Sequence, residues 1–163
     1  MGFPAGTKPA DLLKRDPADN GKSTRRLGSP MGPGRASRGR TVLLVDDEPD
    51  IVEMVSDLLQ ATLGGIRCLV AASGAEALEA LAREPVDLIL CDFRMPKMDG
   101  VELLTQAYRL VPHVPRILMT AYPELDVPVA AINEAHIGAV LTKPLDPDQV
   151  VASVKAAFGD RWP

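Results

Sequence analysis

From Thr41 onward, short apolar runs alternate with stretches in which apolar residues recur every three or four positions. Val42-Leu43-Leu44-Val45 is the first run, and it ends in Asp46-Asp47. Ile51, Val52, Val55, Leu58, Leu59 and Leu63 then share one stripe of a helix, with Pro49 suited to its first turn and Gly64-Gly65 as its stop. Residues 66–71 predict a second strand. Ser73-Gly-Ala-Glu76 has the spacing of a capping box, and the helix it opens must end before Pro85. Residues 86–91 predict a third strand running into Asp92. Asp99-Gly-Val-Glu102 opens a third helix, with Leu103, Leu104, Ala107 and Leu110 directed inward. Residues 116–119 predict a fourth strand ending at Thr120. A helix is expected within 124–135, where Pro128 belongs in the first turn or kinks it. Residues 139–141 form a short fifth strand. Asp146-Pro-Asp-Gln149 caps a last helix with Val150, Val151, Val154 and Phe158 inward and Gly159 as its stop.

Five strands therefore alternate with five helices. Near-continuous apolar strands suit a parallel sheet covered on both faces. Alternation through right-handed crossovers leads to a doubly wound α/β sandwich. Ligands of such folds sit beyond the carboxyl ends of the strands. At those ends lie Asp46 and Asp47 after strand one, Asp92 after strand three and Thr120 after strand four. Strand five runs out through Thr142 to Lys143.

Three carboxylates brought together repel and raise one another's pKa, so the set makes sense around a divalent cation. All-oxygen donors, few enough to leave room for water and a phosphoryl oxygen, suit Mg²⁺ better than zinc. A carboxylate beside such an ion can attack phosphorus and form an aspartyl phosphate. A lysine ammonium and a hydroxyl, here Lys143 and Thr120, can then stabilise the equatorial oxygens. Each residue alone is commonplace; their joint placement at successive strand ends is not.

Composition changes the picture at the N-terminus. Residues 1–40 are rich in Gly, Pro, Ser and Arg without apolar period, which predicts a disordered tail. They hold nine Lys/Arg against three Asp, a net +6, while residues 41–163 hold nine against nineteen acids, a net −10. The whole-chain value of −4 thus hides a basic tail joined to an acidic domain. Lys14-Arg15 and Arg25-Arg26 could meet an anionic partner, but a solvated tail is the simpler reading. Nothing there looks like a nucleic-acid-binding fold, so nucleic acid is not expected as a partner. No apolar run approaches the roughly 18 residues of a membrane span, and no secretory signal is seen. A cytoplasmic protein without membrane contact is expected. Cys68 and Cys91 are too few for a disulfide framework or a structural zinc site and are expected to be small buried strand residues.

Four motifs point to a family: Val42-Leu-Leu-Val-Asp-Asp-Glu48, Asp92-Phe-Arg-Met-Pro-Lys-Met-Asp-Gly100, Thr120-Ala121 and Lys143-Pro144. Over about residues 41–158 the chain resembles the receiver domains of bacterial two-component response regulators, in the manner of single-domain chemotaxis regulators. The resemblance implies a flavodoxin-like (βα)5 sandwich over 41–159 with sheet order 2-1-3-4-5, leaving 160–163 as a short C-terminal tail. It implies that Asp92 accepts phosphate from the phosphohistidine of a sensor histidine kinase or histidine phosphotransfer protein. Asp47 would ligate Mg²⁺ directly, Asp46 would hold its water, and Asp92 and the backbone carbonyl of Arg94 would complete the protein's share. Thr120 would be the hydroxyl that moves to the phosphoryl group, and Lys143 would pair with a phosphoryl oxygen. A cis Lys143–Pro144 bond is implied too. The implied strand order puts Cys68 and Cys91 on strands that are not neighbours, so no disulfide is expected between them. Downstream, an unnamed output protein would read the phosphorylated state, and a homodimer stays open. The chain would not be an enzyme beyond its own phosphoryl transfer and slow self-dephosphorylation.

The sequence departs from the family at Val140, where Tyr or Phe usually stands three residues before the lysine. Phosphorylation chemistry is untouched, but an attenuated or rerouted conformational response is expected. Arg94 and Tyr122 flank the site and are expected to tune the aspartyl-phosphate lifetime by screening water. Two other functions compete. A phosphatase with an aspartyl nucleophile would want an acid two residues after Asp92, where Arg94 stands and cannot serve as a general acid at neutral pH. A phosphorylation-independent interaction module on the same scaffold is the alternative. Only five residues follow Phe158, so a single-domain regulator is expected, with a fragment of a larger protein kept open.

Overall fold

Alternate residues along each strand part to opposite faces of one sheet, as a period of two requires. In this computed structural model, residues 39–122 and 128–159 of the 163 are described. The expected disordered tail (all but its last two residues), the opening of the expected fourth helix and the C-terminal tail lie outside them. The strands are β1 (Arg40–Val45), β2 (Ile66–Ala71), β3 (Leu88–Asp92), β4 (Arg116–Thr120) and β5 (Ala139–Thr142). The helices are α1 (Pro49–Thr62), α2 (Gly74–Arg83), α3 (Gly100–Leu110), α4 (Val129–Glu134) and α5 (Pro147–Phe158). All pairings are parallel, in the order β2-β1-β3-β4-β5. The doubly wound α/β fold is therefore as expected.

Leu43, Val45, Ile89, Cys91 and Leu118 face one side and bury Ala77 and Leu81 of α2 with Leu103, Leu104 and Ala107 of α3. Val42, Leu44, Leu88, Leu90, Ile117, Met119 and Leu141 face the other and bury Val52, Val55 and Leu59 of α1 with Val150, Val154 and Phe158 of α5. Burying such side chains is worth roughly 1.5–3 kcal/mol each, so this two-sided partition fixes strand register. Among the described residues, no helix is long and apolar enough to cross a membrane.

Several details differ from the sequence reading. Leu110, expected inward, is 58% exposed. It is the last residue of α3, past Ala107, the last buried position, so the periodicity continues where the packing does not. The β3 ladder starts at Leu88, because the Asp87 backbone amide bonds the Thr41 carbonyl (2.8 Å) and its carboxylate takes the Thr41 amide (2.9 Å). Ser73 accepts from the Glu76 amide, but the Glu76 carboxylate bonds the Ala72 amide, so the box is not reciprocal. The Asp99–Glu102 box is complete. Cys91 is buried as expected, whereas Cys68 is only half-buried, because β2 is an edge strand. The two thiols pack into opposite cores, and both are free.

Arg116 opens β4. It is buried, and its guanidinium donates to the carbonyls of Val114 (2.7 Å) and Ala135 (3.0 Å). It thereby ties the loop after α3 and the end of α4 to the base of β4, and at Ala135 it takes a carbonyl that a helix end leaves without an intrahelical partner.

Candidate functional site

Register assembles the site. Val45 pairs with Cys91 and with Ala71, so Asp46 leaves β1 beside Asp92 at the end of β3. Asp92 pairs with Met119, and Thr120 with Thr142, which sets Lys143 one step beyond the neighbouring strand. The Lys143 amide donates to the Thr120 carbonyl at 2.8 Å, and the Lys143–Pro144 bond is cis, as expected.

Lys143 Nζ lies 2.7 Å from Asp92 Oδ1, 2.9 Å from Asp46 Oδ2 and 3.5 Å from Glu48 Oε1. Asp46 and Asp92 are buried, and the lysine nearly so. Burial lowers the lysine's pKa, but the hydrogen bonds and charges of Asp92 and Asp46 outweigh it and raise the pKa above its ordinary value. Burial raises the Asp92 pKa, with the Asp46 charge adding to it, against the pull of Lys143 and the Arg94 backbone amide. One ammonium does not neutralise this group.

Carboxylate oxygens of Asp46, Asp47 and Asp92 lie within 4.8 Å of one another. Asp46 and Asp92 are buried, and Asp47 is exposed. Hard oxygen donors at this spacing, with more negative charge than Lys143 offsets, suit a magnesium-like cation. The fourth expected donor, the Arg94 carbonyl, belongs to the loop directly after β3. Thr120 is 1% exposed, and its hydroxyl accepts from the Tyr122 amide at 3.2 Å. All the residues expected at the site thus stand at the carboxyl end of the sheet.

Two contributors were missed by the sequence reading. Glu48 closes the first of the four motifs. It is the N-cap residue of α1, its amide donates to Asp46 Oδ1 at 3.0 Å, and its carboxylate reaches Lys143. Its place directly after the Asp pair is the only signal the sequence offered. Gly100 opens α3. A Cβ there would run into the Asp92 carbonyl oxygen and come 2.9 Å from a Leu118 methyl, so only glycine fits without a shift.

Comparison with known proteins agrees with this geometry. The family model described as "Response regulator receiver domain" matches residues 42–155. The chain is 36% identical to the transcriptional regulatory protein GlrR of Escherichia coli over 122 residues, 75% of this chain and 27% of that protein. It is 40% identical to the DNA-binding transcriptional regulator NtrC of Escherichia coli over 117 residues, 72% of this chain and 24% of that one. The chain thus spans about a quarter of the length of these curated relatives. Among solved structures, a signal receiver domain of an HD domain-containing protein from Pseudomonas fluorescens superposes with a TM-score of 0.70 at 31% identity, over 77% of this chain and 90% of that one. The chemotaxis response regulator CheY4 of Vibrio cholerae gives 0.65 at 28% identity, over 73% and 98%.

Proposed function

The chain belongs to the response regulator receiver domain family, and on that premise we propose that it is a Mg²⁺-dependent phosphoacceptor switch whose acceptor is Asp92. Receiver domains serve two-component signal transduction as phosphoacceptors. The observation that supports it is the single Lys143 ammonium bridging Asp92 and Asp46, the latter 97 positions away in sequence. The receiver domain is taken as residues 41–159, with the basic segment 1–40 and residues 160–163 outside it.

In this reading a carboxylate oxygen of Asp92 attacks the phosphorus of a phosphohistidine on a kinase or phosphotransfer protein. The O–P bond forms, the P–N bond breaks, and the leaving imidazole nitrogen takes its proton from solvent. Asp47, Asp92 and the Arg94 carbonyl, with Asp46 through a water, would hold Mg²⁺, which when bound would neutralise charge on the transferring group. Lys143 pairs with a phosphoryl oxygen, and the Thr120 hydroxyl donates to another. The phosphorylated surface then binds an output protein differently. The domain works as a regulator, its chemistry confined to its own phosphorylation and slow hydrolysis.

Labelling with acetyl phosphate tests this. Wild type should gain one base-labile phosphoryl group when Mg²⁺ is present and none when EDTA replaces it, and Asp92→Ala should gain none. Equal labelling of both proteins refutes the assignment. No labelling of wild type by acetyl phosphate or by a histidine kinase supports a phosphorylation-independent module instead.

A further inference from the structure

We propose that Glu48 is a positioning residue that holds the third N–H of Lys143 and yields it to the incoming phosphoryl group. The inference rests on the reading of Asp92 as acceptor and adds a residue to that site. An ammonium has three donors and no acceptor. In this structure all three have a carboxylate within reach: Asp92 Oδ1, Asp46 Oδ2 and Glu48 Oε1. A phosphoryl oxygen can reach Lys143 only by displacing one of them.

The three partners are unequal. Asp46 is buried, holds Lys143 at 2.9 Å and is itself fixed by the Glu48 amide. Asp92 lies at 2.7 Å and becomes the phosphorylated group itself. Glu48 is the weakest partner, at 3.5 Å with its side chain 66% exposed, so water takes its place at little cost. Its backbone and side chain have separate tasks. The amide orients Asp46, and a side-chain substitution leaves that bond in place. The carboxylate also adds a negative charge at the rim that an anionic phosphodonor must pass, and such a charge is incompletely screened at this range.

Glu48 therefore restrains phosphorylation without holding the metal. The test uses the full chain and Glu48→Gln, with Glu53→Gln on an exposed position of α1 as a control for the same change in net charge. Beryllofluoride affinity at saturating Mg²⁺, Mg²⁺ affinity alone, and the acetyl-phosphate labelling rate are measured on each. Glu48→Gln should tighten beryllofluoride and speed labelling by about three- to fivefold, the size of one exposed charge pair. Its Mg²⁺ affinity should stay within about twofold of wild type, and Glu53→Gln should move neither quantity by more than that. Glu48→Ala, which leaves no side-chain acceptor for Lys143 at all, should match Glu48→Gln. Unchanged beryllofluoride affinity in both Glu48 variants overturns the inference, as does Mg²⁺ affinity shifting in step with it. Failure of wild type to label at Asp92 overturns instead the reading on which the inference rests.

Discussion

The guanidinium of Arg94 lies over the ring of Tyr122, with Cζ 5.7 Å from the ring centroid. The two residues follow β3 and β4 respectively and meet at the rim beside Asp92 and Thr120. Such a contact is worth about 0.5–1 kcal/mol at an exposed site, enough to favour a closed rim over an open one. Arg94→Ala and Tyr122→Ala should each speed hydrolysis of the aspartyl phosphate by about two- to fivefold through readier access of water. The double variant should be little faster than either single one, because both remove the same contact. Single-turnover loss of label decides it, and unchanged rates in both single variants would show that the pair does not screen the site.

Gly100 lets α3 start against the backbone of Asp92, where its amide also bonds the Phe93 carbonyl at 2.8 Å. The neighbours of an added Cβ are backbone and a buried leucine, neither of which yields cheaply. Gly100→Ala should therefore cost about 1–3 kcal/mol in urea unfolding, as overpacking does, despite alanine's better helix propensity. It should also slow labelling by shifting Asp92. A neutral or stabilising outcome would contradict the packing described.

The raised pKa of Asp92, which burial causes before any charge does, makes stability depend on pH. The folded protein binds this proton more tightly than the unfolded chain. The stabilisation is complete below the ordinary carboxylate pKa and is lost as pH rises through the raised folded value. In EDTA at neutral pH, Asp92→Asn should thus be more stable than wild type, with the gap closing on acidification. Mg²⁺ should stabilise wild type by mass action and narrow the gap from the other side. Thermal unfolding of both proteins across pH, with and without Mg²⁺, checks this; a gap that widens on acidification would reverse the sign argued here.

Val140 stands opposite Leu118 and packs half-buried against the core on the α2/α3 side. A β-branched side chain has few rotamers to exchange, so it cannot swing inward as a large ring could. Beryllofluoride should shift amide resonances near Thr120 and Lys143 while those of residues 139–141 move little. Large changes at Val140 would show that the response does not need the aromatic ring.

The sequence by itself settled what periodicity and strand-end chemistry encode. Apolar runs alternating with helical stripes dictated a doubly wound sheet, and the placement of Asp46, Asp47, Asp92, Thr120 and Lys143 directly after strands marked one edge, because side-chain period and strand termination are local properties. Tertiary structure alone decided the rest. Parallel register sets the 2.7 Å and 2.9 Å contacts of Lys143 with Asp92 and Asp46, and no local pattern fixes a distance across 97 positions. Glu48 became part of the site only because the chain turning into α1 brings this N-cap residue to Lys143. Gly100 proved to be a packing requirement because β3 and α3 approach too closely for a Cβ, and Leu110 stayed in solvent because its stripe outran the core. In each case the deciding term was proximity between segments distant in sequence, which only the packed fold creates.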